Sequence, residues 1–193
     1  MRKDFKIMFS LINNNSKVLD LGCGSGELLE LLAKKKTIIA KGIEINPQKA
    51  SESIAKGISV YEGDMFEVLP NYKTKSYDYV ILSQTLSEVS DPKTILFESL
   101  RVGRKVIVSF TNFGYISNRL SILLKGKISQ KAFSDYCWYE RKYFHPFSIL
   151  EFEQYSLQND IEIIKKVLIF EPIFLKHYSN LLAKHAVFLL EGK

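Results

Sequence analysis

The sequence predicts an α/β fold: a three-layer αβα sandwich on a mostly parallel seven-stranded sheet with one antiparallel edge strand. Three observations predict it. Short apolar runs alternate with helix-patterned segments over about the first 145 residues. That alternation calls for crossover helices covering both faces of a parallel sheet. The tail differs, because two strand-like runs there have no helical pattern between them long enough to cross over. A glycine-rich turn follows the first strand, as in α/β folds that bind ligands at the carboxyl edge of the sheet.

Each element follows from its residues. Residues 17–21 (KVLDL) read as a buried strand. Residues 27–36 (ELLELLAKKK) form a helix with a leucine face and a basic last turn, which suits the helix dipole. Residues 37–45 (TIIAKGIEI) are the second strand. Pro47 marks the start of a helix over 48–56, and Gly57 ends it. Residues 58–61 are the third strand and 77–82 (YDYVIL) the fourth. Asp91 is the candidate cap of a helix reaching Leu100. Residues 104–110 (RKVIVSF) are the fifth strand. A last helix over 148–158 precedes strands at 161–169 and 184–190. An aromatic, basic stretch at about 112–146 has the length of an insertion over the carboxyl edge of the sheet. The whole chain, 1–193, reads as one domain.

Composition excludes several classes. With 46% hydrophobic and 25% charged residues the 193-residue chain is globular, not disordered. No apolar run approaches the roughly 20 residues that span a bilayer, and no secretory signal is expected at the N-terminus. The two cysteines, Cys23 and Cys137, have no metal-ligand spacing, so a reduced, cytoplasmic protein without a metal site is expected. The net charge of +6 is concentrated in residues 113–144. There Arg119, Lys125, Lys127, Lys131, Arg141 and Lys142 face only Asp135 and Glu140. Such a patch can be a solvated surface, a partner surface or a nucleic-acid surface; the modest total charge disfavours nucleic acid.

The turn after the first strand reads Asp20-Leu-Gly22-Cys23-Gly24-Ser25-Gly26. A dinucleotide fingerprint, G-x-G-x-x-G, fails whether counted from Gly22 or Gly24, because Glu27 and Leu29 occupy the last position. The D-x-G-x-G-x-G pattern resembles motif I of class I S-adenosylmethionine (SAM) methyltransferases. The resemblance implies that Asp20 meets the ammonium of the methionyl tail. Glu44, ending the second strand with Ile45 after it, would accept from both ribose hydroxyls. Asp64 would accept from the adenine amino group, Met65 would pack on the ring, and Ser83 and Gln84 would lie beneath the methionyl part. Each residue has a plainer reading when taken singly: a tight turn, a solvated strand end, a turn aspartate. Their joint occurrence, each just past a successive strand, favours a site. Cys23 reads as a small loop residue.

The runs VLDLGCGSGELL, DYVILSQTLSEV, LRVGRKVIVSF and NFG further resemble the MetW family of methionine biosynthesis proteins. The likeness is strong over about 17–114 and looser to about 152. It implies a Rossmann-like SAM methyltransferase fold, SAM as cofactor with S-adenosyl-L-homocysteine as product, and homoserine O-acyltransferase as partner. The expected cofactor contacts are Asp20, Gly22, Cys23, Gly24, Gly26, Glu44, Ile45, Asp64, Met65, Ser83 and Gln84. The chain departs from the family at Thr111, where proline is usual, and around Arg141 to His145, while Trp138-Tyr139 is retained.

No catalytic residue is assigned. Methyl transfer from a sulfonium is a displacement that positioning can largely accelerate, by about 7–11 kcal/mol. A base is required only when the acceptor must lose a proton. Leu82-Ser83-Gln84-Thr85 stands where amide and adenine methyltransferases carry Asn/Asp-Pro-Pro-aromatic, which argues against those substrates. His145 is expected to be the histidine nearest the site, as a base or as a loop residue. Tyr115, Tyr136, Trp138 and Tyr139 could line an acceptor pocket or face a partner. Two functions remain open at this point: a methyltransferase on a small-molecule or protein acceptor, and a SAM-binding companion subunit.

Overall fold

In the computed structural model, residues 2–128, 142–170 and 178–192 are described. The chain opens with helix α1 (Lys3–Leu11), then alternates β1 (Ser16–Leu21), α2 (Glu27–Lys35), β2 (Ile38–Glu44), α3 (Pro47–Ala55) and β3 (Ser59–Glu62). One-turn helix α4 (Met65–Val68) and a 3-10 turn (Leu69–Asn71) lead to β4 (Tyr77–Ser83), α5 (Pro92–Val102) and β5 (Gly103–Thr111). Helices α6 (Ile116–Lys125) and α7 (Ile149–Gln158) precede β6 (Ile161–Phe170), α8 (Ser179–Leu182) and β7 (Ala183–Gly192). The elements read from sequence recur within one or two residues.

Local chemistry explains the helix starts. Asn46 caps α3 by accepting from Lys49 N at 3.1 Å, and Asp91 caps α5 by accepting from Thr94 N at 3.0 Å. Each cap is followed by proline, whose missing N–H costs nothing in the first turn. Helix α7 carries a full capping box: Ser148 Oγ accepts from Glu151 N, and Glu151 Oε2 accepts from Ser148 N at 2.7 Å.

Among the described residues the seven strands form one sheet in the order β3-β2-β1-β4-β5-β7-β6. Strands β1 to β5 pair in parallel, and β7 pairs antiparallel with both β5 and β6. The sheet is therefore mostly parallel, with a single reversed strand. That strand, β7, lies one place in from the edge expected from sequence. Helix α7 sends β6 beyond β5 in the parallel sense, and β7 returns into the gap between them. The residues suit this order. Residues 186–190 (AVFLL) of β7 are buried on both faces, whereas β6 carries Lys165 and Lys166, exposed at the true edge.

Alternation along the strands separates two cores. Leu19, Leu21, Val106, Val108, Phe110 and Phe188 pack toward α5 and α7. Val18, Ile81, Ile107, Val187 and Leu189 pack toward α1 and α2. On the first face Phe110 is the hub, with ring centroids 4.5 Å from Phe147, 5.1 Å from Phe152 and 5.6 Å from Phe188. Helix α1 was not read from sequence, although Phe5, Met8 and Ile12, its buried residues and the position just after it, have helical spacing.

The insertion is described in part. Helix α6 occupies its first half, and Leu123 and Leu124 stand 78% and 74% exposed there. Tyr136, Trp138 and Tyr139, together with Lys131, Asp135, Cys137, Glu140 and Arg141, lie outside the described residues. At the start of the insertion Asn112 is completely buried. Its Nδ2 donates to Asn180 O at 2.8 Å and Ala183 O at 2.7 Å. Its Oδ1 accepts from Gly114 N at 3.0 Å and Ile149 N at 3.2 Å. One amide thus joins the ends of β5, α7 and α8–β7. A Cβ on Gly114 would sit 3.0–3.1 Å from Asn180 Oδ1, Asn112 Oδ1 and Ser148 Cβ, which gives the Asn-Phe-Gly run its packing reason.

Candidate functional site

The carboxyl ends of β1 and β2 converge on the glycine turn. Gly22 N and Cys23 N both donate to Ile43 O, at 2.8 and 3.1 Å, which ties the turn to β2. Gly22, Gly24 and Gly26 all adopt left-handed φ, +73°, +56° and +76°. At Gly26 a Cβ would lie 2.1 Å from Ser53 Oγ, so the absent side chain is what lets α3 approach the start of α2. At Gly24 a Cβ would meet no atom within 4 Å, because the residue faces an open cleft.

Two carboxylates stand beside this turn, and both are buried. Glu44 is 6% exposed; its Oε2 accepts from Gly24 N at 2.8 Å and its Oε1 from Asn46 N at 2.9 Å. It is no solvated strand end. A carboxylate offers about four acceptor positions, so one on each oxygen remains. Asp20 is 2% exposed, and its Oδ1 has no hydrogen-bond partner among the described residues. Burial pushes its carboxyl from 3.8 up to about 7; the Arg2 charge pulls it down and Glu44 pushes it further up. An unpartnered buried acid is costly unless a cation comes to it.

Asp20 and the glycine turn open onto a cavity of about 240 Å³. It is lined by Asp20, Gly22, Cys23, Gly24 and Ser83 from the expected set, joined by Arg2, Phe5 and Lys49. Cys23 carries an inert thiol: burial, then the charges of Asp20 and Glu44, push it up to about 12, far from a reactive thiolate. Met65 reaches the turn, its methyl 3.8 Å from where a Gly22 Cβ would be. Asp64 caps α4, accepting from Phe66 N at 2.9 Å. Ile45 stands 64% exposed just past β2. Gln84 leaves this group and lines a second cavity.

That second cavity, about 360 Å³, is lined by Arg2, Lys3, Asp4, Gln84, Ser87, Glu88, Thr111, Ile169 and His185. Arg2 borders both cavities. Its guanidinium pairs with Asp4 at 2.6 Å, reaches Ser83 Oγ at 3.5 Å and lies 4.3 Å over the Phe5 ring. The histidine lining the cavity is His185, not His145. His145 instead donates its backbone N–H to Ser87 O, and its Nε2 is buried without a hydrogen-bond partner among the described residues. Sequence reasoning missed Arg2 and His185. His185 sits opposite Thr111 only because β7 pairs antiparallel with β5, a pairing that local pattern does not reveal. Among the described residues no group of His, Cys, Asp and Glu could hold a metal, and no helix is long and apolar enough to cross a membrane.

Comparison with known proteins agrees with this architecture. The bifunctional methionine biosynthesis protein MetXA/MetW of Rhodopirellula baltica is 34% identical over 137 residues, which cover 67% of this chain and 22% of that protein. Norajmaline N-methyltransferase of Rauvolfia serpentina is 34% identical over 92 residues, 44% of this chain and 31% of that one. The chain thus spans less than a third of the length of either relative. A SAM-dependent methyltransferase of Thermotoga maritima, described as a possible histamine N-methyltransferase, superposes with a TM-score of 0.69 at 18% identity, covering 98% of this chain and 87% of its own. The [4+2]-cyclase SpnF superposes with a TM-score of 0.71 at 13% identity, covering 98% and 80%. Those two likenesses establish the Rossmann-like SAM methyltransferase fold and, with a cyclase among them, nothing finer. Residues 2–190 match the family described as methionine biosynthesis protein MetW, and the chain belongs to that family.

Proposed function

We propose that the chain binds SAM at the glycine turn and serves methionine biosynthesis beside a homoserine O-acyltransferase. The observation that carries the cofactor reading is the buried pair Asp20 and Glu44 flanking the open Gly24. Asp20 presents an unpartnered oxygen to the methionyl ammonium. Glu44 has acceptor positions left for the ribose hydroxyls. Asp64 and Met65 hold the adenine, Ile45 borders the ribose, and Ser83 lies near the methionyl part, while Gln84, expected there from sequence, lines the adjoining cavity instead. When bound, SAM supplies a methyl group activated on a sulfonium, and S-adenosyl-L-homocysteine is what remains after transfer. The acyltransferase reading is supported by the relative that joins MetXA and MetW in one protein. Co-purification with the host's acyltransferase, and assay of that enzyme with and without this chain as SAM is varied, tests it. A second reading, an independent SAM-dependent methyltransferase on a small-molecule or protein acceptor, is favoured by the cavity that adjoins the cofactor cleft. Neither nucleic acid nor a membrane is required, and a cytoplasmic location fits both readings.

Asp20 makes the binding pH-dependent. Its folded pKa, about 7, lies above the ordinary 3.8. The group therefore favours the folded, unliganded protein most at low pH, and that contribution is lost as pH rises to 7. A cationic ligand selects the ionised form. SAM affinity should rise by up to about tenfold per pH unit between pH 5.5 and 7 and then level off. Calorimetric titrations across this range check it, and Asp20→Asn should bind weakly with no such slope. A flat wild-type profile would remove the Asp20–ammonium pair.

Gly24→Val should remain folded and lose binding. Its left-handed φ costs a branched residue about 1–2 kcal/mol, a tolerable strain, while the side chain enters the open cleft. We expect at least a tenfold loss of SAM affinity with cooperative unfolding retained. Normal affinity in a folded Gly24→Val protein would place the ligand elsewhere.

A further inference from the structure

We propose that Arg2 is the specificity residue of the cofactor cleft: its guanidinium takes the carboxylate of the methionyl tail, so the cleft selects adenosyl ligands that carry a whole amino acid. The proposal rests on the cofactor reading above. That reading gives the tail's ammonium to Asp20 and leaves the carboxylate without a partner. Ammonium and carboxylate share one carbon atom, so the carboxylate's partner must border the same cavity as Asp20. Arg2 does. Its charge also acts on Asp20, pulling that carboxyl down against the effect of burial.

The backbone of the turn is not that partner. A helix N-terminus holds an anion through N–H groups that have no other acceptor. Here Gly22 N and Cys23 N donate to Ile43 O, Gly26 N to Cys23 O at 3.0 Å and Gly24 N to Glu44 Oε2 at 2.8 Å. Four N–H groups are thus spent on closing the turn. Asp20 and Glu27 line the cavity and Glu44 stands beside the turn, so a further anion there meets like charges unless a cation holds it.

Arg2 is preorganised for an anion. Buried Asp4 takes one edge of its guanidinium: Nε donates to Oδ1 at 3.2 Å and Nη2 to Oδ2 at 2.6 Å. The Phe5 ring, with its centroid 4.3 Å from the guanidinium carbon, steadies the group further. A guanidinium has five N–H donors in a rigid fork. The second edge is committed only to a 3.5 Å contact from Nη2 to Ser83 Oγ, and Nη1 makes no hydrogen bond among the described residues. Ser83 lines the cleft, so that contact sets this edge at the cleft wall. Two parallel N–H groups match the two oxygens of a carboxylate. Lys49, the other cation on the wall, lacks such a fork, and no side-chain hydrogen bond or ion pair fixes it among the described residues.

The test compares two ligands that differ only in the carboxylate: S-adenosyl-L-homocysteine and its decarboxylated analogue, which keeps the ammonium. Calorimetric titrations of the full chain at about pH 8, where Asp20 is ionised, should show at least a tenfold preference for S-adenosyl-L-homocysteine in the wild type. Arg2→Gln should bring the two affinities within threefold of each other, chiefly by weakening S-adenosyl-L-homocysteine. Removing the Arg2 charge also acts on Asp20, but both ligands bring an ammonium, so the ratio isolates the carboxylate. Arg2→Lys keeps a cation beside Asp4 and loses the fork. It should lower the ratio at least threefold, and it decides the matter if Arg2→Gln does not fold. A wild-type preference below threefold overturns the proposal. So does a ratio retained in the folded variants with both affinities lowered alike, which is what a merely structural tie between α1 and the cleft predicts. A preference that survives Arg2→Gln and collapses in Lys49→Gln gives the carboxylate to Lys49 instead. A wild-type chain that binds neither ligand overturns the cofactor reading and the role of Arg2 with it.

Discussion

Glu44→Ala should lower the affinity for SAM at least tenfold, and more than about a hundredfold where both ribose hydrogen bonds are lost in full. The carboxylate is asked to accept from two ribose hydroxyls, and hydrogen bonds to a charged group contribute about 1.5–3 kcal/mol each. It also accepts from Gly24 N and Asn46 N, so the substitution loosens the turn that shapes the cleft. Those two effects separate if adenosine is titrated beside SAM. Ribose contact predicts that both ligands lose affinity to a similar extent. Loosening of the turn alone predicts that SAM, through its methionyl tail, loses far more than adenosine. Unchanged SAM affinity in a folded Glu44→Ala protein would end the ribose assignment.

Much of this site was legible because its parts are local. Asp20 and Glu44 lie at the ends of β1 and β2, and the three glycines and Asp64 follow β1 and β3, strands whose apolar runs are plain in the sequence. The parallel order β3-β2-β1-β4 then brings those strand ends together. What escaped depends on pairings between distant residues. Thr111 and His185 are 74 residues apart, and only the return of β7 between β5 and β6 makes them neighbours. His145, which the sequence leaves open as a base or a loop residue, donates its backbone N–H to Ser87 O in the β4–α5 loop. Helix α1 escaped for another reason. It is one apolar stripe among lysines, too short to stand out, and its role shows only when Phe5, Met8 and the adjoining Ile12 close one face of the sheet. Its first residues then place Arg2 between the two cavities. The likeness to the cyclase SpnF shows why these particulars matter: this fold serves more than one reaction, so a functional claim must rest on Asp20, Glu44 and their neighbours.

The largest loss of stability is expected from Asn112→Ala. Asn112 is fully buried, and all four of its side-chain hydrogen-bonding positions are filled by backbone groups. One of its partners, Ile149 N, belongs to the first turn of α7, where N–H groups have no partner within the helix. Truncation to alanine leaves two N–H groups and two carbonyls without that amide and opens a small void. An unsatisfied buried polar group costs about 1–3 kcal/mol, so a loss of about 4 kcal/mol or more is expected. Domains of this kind have only about 5–15 kcal/mol in total. Urea denaturation should therefore show a midpoint far below that of the wild type, with an unchanged slope if only the native state is affected. Asn112→Asp sharpens the test, because it conserves shape and the two acceptor contacts while removing both donors. Facing the carbonyls of Asn180 and Ala183, the new carboxyl can donate only when protonated. Its folded pKa must rise above the ordinary 3.9 or so. The variant should accordingly be less stable at pH 7 than at pH 4.5, after correction for the wild-type slope, which includes the Asp20 contribution. A loss below about 1 kcal/mol in Asn112→Ala, within the range of an ordinary surface substitution, would mean that α7 and β7 hold to β5 without this amide.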